Sequence, residues 1–151
     1  MKKKSFSELV VRCEKSGLQF YRDCMRITNQ FSTKYILEKV IQKQRKHVTR
    51  LLADIGNVYD SVAEAAALEK KLQIFLQKEL VREFDRENLN FVEVTKLAIR
   101  MTSFYRDMYM HLKENESLKN LHPVIDHIIE SKSMFINQLT SELERLSYDQ
   151  S

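Results

Sequence analysis

Three residues of the 151-residue chain have side chains suited to chemistry and positions that bring them inward: Glu14, Gln44 and His47. Each falls on a stripe of apolar residues at helical spacing, so a carboxylate, an amide and an imidazole are expected inside the protein. An uncompensated charge there costs several kcal/mol, so Glu14 needs a partner. One account is a polar cluster in which Glu14 and His47 satisfy each other with help from Gln44 or Tyr105. Lys132, near the inner edge of the last predicted helix, adds an ammonium as counter-charge to Glu14. The other account is a single ion such as zinc held by Glu14, Gln44 and His47, a weak site with three ligands or fewer.

Other chemistries find no footing. His111, His122 and His127 have no ligand spacing and read as surface or capping residues, with His122 placed to cap the helix before Pro123. A glycine-rich phosphate loop, a nucleophile elbow and a paired-cysteine zinc motif are all missing from the sequence. Lys39, Lys43, Lys46 and Arg50 form a basic stripe that reads as a solvated face, the alternative being a phosphate-binding surface. With 25 basic and 21 acidic residues the net charge is +4, which does not by itself imply a nucleic-acid partner.

The elements that position these residues are helices. Two glycines and one proline are too few for the turns of a β-sandwich or a parallel α/β fold. Ser5-Phe6-Ser7-Glu8 is a capping box that opens a helix burying Val10, Cys13, Glu14, Gly17, Phe20, Tyr21 and Cys24, fraying near Thr28-Asn29. Ser32 opens a second helix with Leu37, Val40, Ile41, Gln44, His47, Val48, Leu51 and Ile55 inward, ended by Gly56. A second capping box, Ser61-Val62-Ala63-Glu64, starts a connector helix over about 61–86 that carries Leu68, Leu72, Phe75, Leu76 and Leu80. Asn90 to Glu93 caps a third helix, with Val94, Leu97, Ala98, Met101, Phe104, Tyr105, Met108 and Leu112 inward. After a polar break from Glu114 to Asn120, Pro123 marks the last helix, which buries Leu121, Val124, Ile125, Ile128, Phe135 and Leu139.

Phe20-Tyr21-Arg22-Asp23 recurs as Phe104-Tyr105-Arg106-Asp107, an offset of 84 residues. The same offset lays Val10 on Val94, Cys24 on Met108, Leu37 on Leu121, Ile41 on Ile125 and Leu51 on Phe135. The expected fold is therefore all-α: one domain over 1–151, an antiparallel four-helix bundle from two repeated hairpins (about 5–56 and 90–147) joined by a helical crossover.

Glu14-Lys15-Ser16-Gly17-Leu18-Gln19-Phe20-Tyr21 resembles the first helix of the rubrerythrin-type, ferritin-like diiron proteins. Gln44-Arg45-Lys46-His47 sits where that family carries Glu-x-x-His. The resemblance implies a ferritin-like bundle whose metal site needs a carboxylate from helices 1 and 3 and Glu-x-x-His from helices 2 and 4. Residues three apart share a helix face, so each such pair aims at a common centre. Here Glu14 and His47 match, and Gln44 replaces a glutamate. The offset puts Ala98, Ile128 and Ser131 at the remaining positions, while Glu130 faces water. The resemblance thus implies a degenerate site and no diiron cofactor, with Glu14, Gln44 and His47 as vestiges that bind at most a single metal weakly.

Three functions follow as expectations. The first is a non-catalytic bundle serving as an interaction or regulatory protein. The second is a metal-binding oxidoreductase or metal-handling protein with an altered site, and the third a basic adaptor for nucleic acid or an acidic partner. The apolar excess of the connector (Ala65, Ala66, Ala67, Ile74) points to a homodimer through that helix. No apolar run reaches the ~20 residues of a membrane helix. The charged start is followed by no stretch of signal-peptide length, and Cys13 and Cys24 lie eleven positions apart on one helix, too far to bridge. A cytoplasmic setting is the expectation.

Overall fold

The computed structural model describes residues 4–28, 31–56, 58, 60–82 and 90–149. Five α-helices carry the chain: α1 (Phe6–Ile27), α2 (Phe31–Ile55), α3 (Ala65–Ile74), α4 (Phe91–Lys113) and α5 (His122–Asp149). A π-helical segment, Phe75–Leu80, continues α3, and a 3₁₀ segment, Glu116–Leu121, leads into α5. The most extensive packing is α4 on α5, followed by α1 on α2.

The helix ends follow from local chemistry. Ser5 accepts a hydrogen bond from the Glu8 amide at 3.2 Å, and Asn90 accepts one from the Glu93 amide at 3.0 Å. Each satisfies one of the amides that a helix start leaves free. Gly56 has φ of 61°, the left-handed conformation that glycine takes without steric cost, and ends α2 there. α1 stops at Ile27, and the Thr28 amide bonds back to the Cys24 carbonyl at 3.1 Å. Asn29 lies outside the described residues, as does the Ser32 side chain; the second helix opens one residue before Ser32, at Phe31.

The connector departs from its expected start. Ser61 caps nothing: Ser61–Val62 pairs with Lys4–Ser5 in a two-residue antiparallel ladder, and α3 begins only at Ala65. Ser7 reinforces this tie by accepting a hydrogen bond from the Val58 amide at 2.6 Å. These backbone bonds outcompete the capping geometry that the sequence pattern offered. Leu68, Leu72, Phe75, Leu76 and Leu80 are all buried, and Phe75 stacks on Phe104 with ring centroids 3.9 Å apart. Ala65 and Leu76 are buried too, leaving Ile74 and Val81 as the exposed large apolar residues of this segment. The expected connector end, beyond Arg82, lies outside the described residues.

Positions 84 apart share their burial. Val10 and Val94, Cys13 and Leu97, Tyr21 and Tyr105, Cys24 and Met108, Leu37 and Leu121, and Ile41 and Ile125 are all buried. Leu51 with Phe135 and Ile55 with Leu139 extend the agreement to the far end of α2 and the middle of α5. One core is therefore built from two segments of the same apolar phase. Among the described residues no helix is long and apolar enough to cross a membrane.

α1 and α4 meet closely at Gly17. A Cβ there would lie 2.9 Å from the Tyr105 hydroxyl oxygen and 3.3 Å from Met101 Cε. Tyr105 is held in place because its hydroxyl donates to the Cys13 carbonyl. Gly17→Ala should therefore lower stability by about 1–3 kcal/mol, although alanine favours a helix by about 1 kcal/mol. In a Tyr105→Phe background, which removes the nearest atom, the added cost of Gly17→Ala should shrink in urea unfolding; an equal cost in both backgrounds would contradict this contact.

Candidate functional site

Glu14 sits in the middle of α1 on the face that carries Val10, Cys13 and Tyr21, and its side chain has no exposed surface. Lys132 sits in α5 and is 1% exposed. Its ammonium stands 2.5 Å from Glu14 Oε1, so the counter-charge read from the sequence is in place. The same ammonium lies over the Tyr105 ring, 5.0 Å from its centroid. Attraction to the ring face adds to the carboxylate contact in an environment from which water is excluded.

Tyrosines line the rest of the carboxylate's surroundings. Burial, then the negative charge of Glu14, raises the hydroxyls of Tyr105 and Tyr109 well above the ordinary range. Both therefore stay protonated. Tyr109 faces Glu14 without the alignment of a full hydrogen bond. Tyr109 was missing from the sequence reading. It lies one helical turn beyond Tyr105 on the same face of α4, and that i, i+4 relation was the signal for it.

His47 and Gln44 occupy a different neighbourhood from the one expected. Gln44 is 2% exposed, and its Oε1 finds no protein hydrogen-bond partner among the described residues. His47 stacks on Phe135 with ring centroids 4.6 Å apart and an interplanar angle of 9°. Burial, with the nearby charges of Lys132 and Arg50, lowers its pKa to about 3. The ring is neutral, and among the described residues its Nε2 has no hydrogen-bond partner. Glu14 and His47 thus do not satisfy each other: the lysine intervenes, answering the carboxylate and repelling a proton from the imidazole.

The donor set does not fit a two-metal centre. The carboxylate of Glu14 is engaged by an ammonium, and Gln44 is uncharged. Ala98 and Ile128 are buried without any donor atom, and Glu130 is exposed. Among the described residues no three histidine, cysteine, aspartate or glutamate side chains converge as a ligand set. Cys24 is a buried free thiol pushed up to about 12 by burial and by Asp23, so it is a weak nucleophile and ligand.

Of the other sequence candidates all but His122 lie on the surface; His122 is half-buried, and its Nε2 is buried with no protein hydrogen-bond partner among the described residues. His127 Nε2 is 3.2 Å from Asp54, and His111 is 3.5 Å from Glu114. His122 begins α5 beside Pro123. Lys39, Lys43, Lys46 and Arg50 are exposed, Lys43 pairing with Glu142 and Lys39 lying over the Tyr35 ring. A groove of about 510 Å³ runs along this basic face between α2 and α5. Comparisons with protein-family models, curated proteins and solved structures found no match to the chain.

Removing one partner of a buried pair leaves the other charge uncompensated. Glu14→Gln and Lys132→Met should each lower unfolding stability by about 3–5 kcal/mol, while Glu14→Leu with Lys132→Met together should recover most of that loss. Additive losses in denaturant titrations would contradict the pairing. His47 gives a second expectation. Its pKa is about 6.5 in the unfolded chain and about 3 when folded, so the unfolded state takes up the proton first as pH falls. Its contribution to stability is complete above about pH 6.5 and declines toward about pH 3. His47→Phe should flatten that part of the stability–pH curve; an unchanged curve would exclude a neutral buried ring.

Proposed function

We propose that this chain is a non-catalytic, ferritin-like antiparallel four-helix bundle in which the Lys132 ammonium takes the place of metal charge, and that it serves as an interaction or regulatory protein. The observation that carries the reading is the Glu14–Lys132 pair at 2.5 Å, with both side chains buried. A carboxylate that would ligate metal in the family it resembles is neutralised here by a covalently attached cation. Substitution of glutamate by Gln44 and of the second-hairpin donors by Ala98 and Ile128 is consistent with the same replacement.

The antiparallel arrangement draws support from two contacts between α2 and α5. Lys43 pairs with Glu142, and Asp54 pairs with His127. The numbering rises along one helix as it falls along the other. Equal burial at positions 84 apart supports the duplicated hairpin. A bundle of this kind offers surfaces rather than a reaction centre: its polar interior is closed, and its open groove is lined by charged side chains over an apolar floor.

Elemental mass spectrometry tests the reading on protein purified after growth with added iron, manganese and zinc. The expected result is no stoichiometric metal in the wild-type chain. Near-stoichiometric metal that disappears in Glu14→Ala and His47→Ala variants would overturn the reading in favour of an altered metal site.

A further inference from the structure

The groove between α2 and α5 is lined from Lys43 to Asp54 on one helix and from His127 to Glu142 on the other. On α2 that is about 16 Å, three helical turns. The ends are electrically closed: Lys43 is paired with Glu142, and His127 with Asp54. Between them Lys46 and Arg50 are exposed one turn apart, and among the described residues neither has an ion-pair partner. The floor is apolar, made by Phe135 and Leu139, and Met134 is 56% exposed beside them. An unbranched thioether in such a place adapts to varied apolar surfaces.

We infer that this groove receives an acidic amphipathic helix of a protein partner, with an apolar residue on Met134 and Leu139 and two carboxylates one turn apart facing Lys46 and Arg50. With the ends paired, two cations stand against the single carboxylate of Glu130, and this residual positive charge favours an acidic partner. The unpaired cations on one wall are matched by carboxylates at i and i+4 of a docked helix, and the apolar floor takes the stripe between. A phosphate backbone fits poorly. The aromatic ring there, Phe135, is buried under His47 and offers no face for base stacking. The inference rests on the non-catalytic reading above and gives that reading a partner.

The test uses the full chain, its metal content measured beforehand, and a fluorescein-labelled helical peptide of about 16 residues. The peptide carries a leucine stripe and two glutamates one turn apart on one flank. Fluorescence polarisation at physiological salt should give saturable binding. Lys46→Glu with Arg50→Glu should weaken it at least about tenfold, as should Met134→Asp, with helical circular dichroism unchanged in both variants. Replacing the peptide's glutamates by lysines, or its leucines by serines, should abolish binding. Metal-free protein that ignores the peptide, binds the lysine version equally, or prefers an oligothymidylate would overturn this inference and leave the non-catalytic reading standing. Metal-loaded protein would overturn that reading itself, whatever the peptide does.

Discussion

A carboxylate with no exposed surface must be neutralised from inside the protein, and here that is done by one lysine from the far end of the sequence. Glu14 comes from α1 and Lys132 from α5, so the pair can form only when both helices are docked. Tyr105 from α4 closes the arrangement, with its ring beneath the ammonium and its hydroxyl on the Cys13 carbonyl. Gly17 leaves room for that hydroxyl. Three helices are thus registered against one another by a buried ion pair, a tyrosine hydrogen bond and the ring that joins them. An apolar core of interchangeable leucines and isoleucines fixes such a register less strictly than a buried charge pair, which has one satisfactory geometry.

Much of this was legible in the chain because helical burial repeats at three and four. Every inward residue named for α1, from Val10 to Cys24, is buried. The 84-residue repeat extended the reading to the second half, where Ala98 and Ile128 prove to be core. Lys132 could be named because it sits at the edge of an inner stripe opposite a carboxylate needing a cation. What the pattern did not convey is non-local. The Ser61 capping box was lost to a ladder with Lys4–Ser5, a pairing that spans more than fifty residues and leaves no periodic trace. The stacking of His47 on Phe135 was equally hidden, since two positions on different helices carry no shared spacing. Tyr109 was passed over because the inner face of α4 is wider than a narrow apolar stripe.

The two halves share a phase but not a chemistry. The first hairpin keeps Glu14, Gln44 and His47 at inward positions, and the second has Ala98, Ile128 and Ser131 in their places. On the reading proposed above, one hairpin became core and then lent a lysine to the other. The polar interior is left closed to solvent, and on the same proposal functional contact moves outward to the α2–α5 face. There the cations not used in pairing stand over an apolar floor.

The central claim is that Lys132 is a buried ammonium ion-paired with Glu14. Nitrogen-15 NMR of side-chain ammonium groups tests it most directly. The account predicts one lysine signal with slow hydrogen exchange, assigned to Lys132 and lost or shifted in Glu14→Gln. A Lys132 ammonium that exchanges as fast as the exposed lysines, and is indifferent to Glu14→Gln, would contradict it.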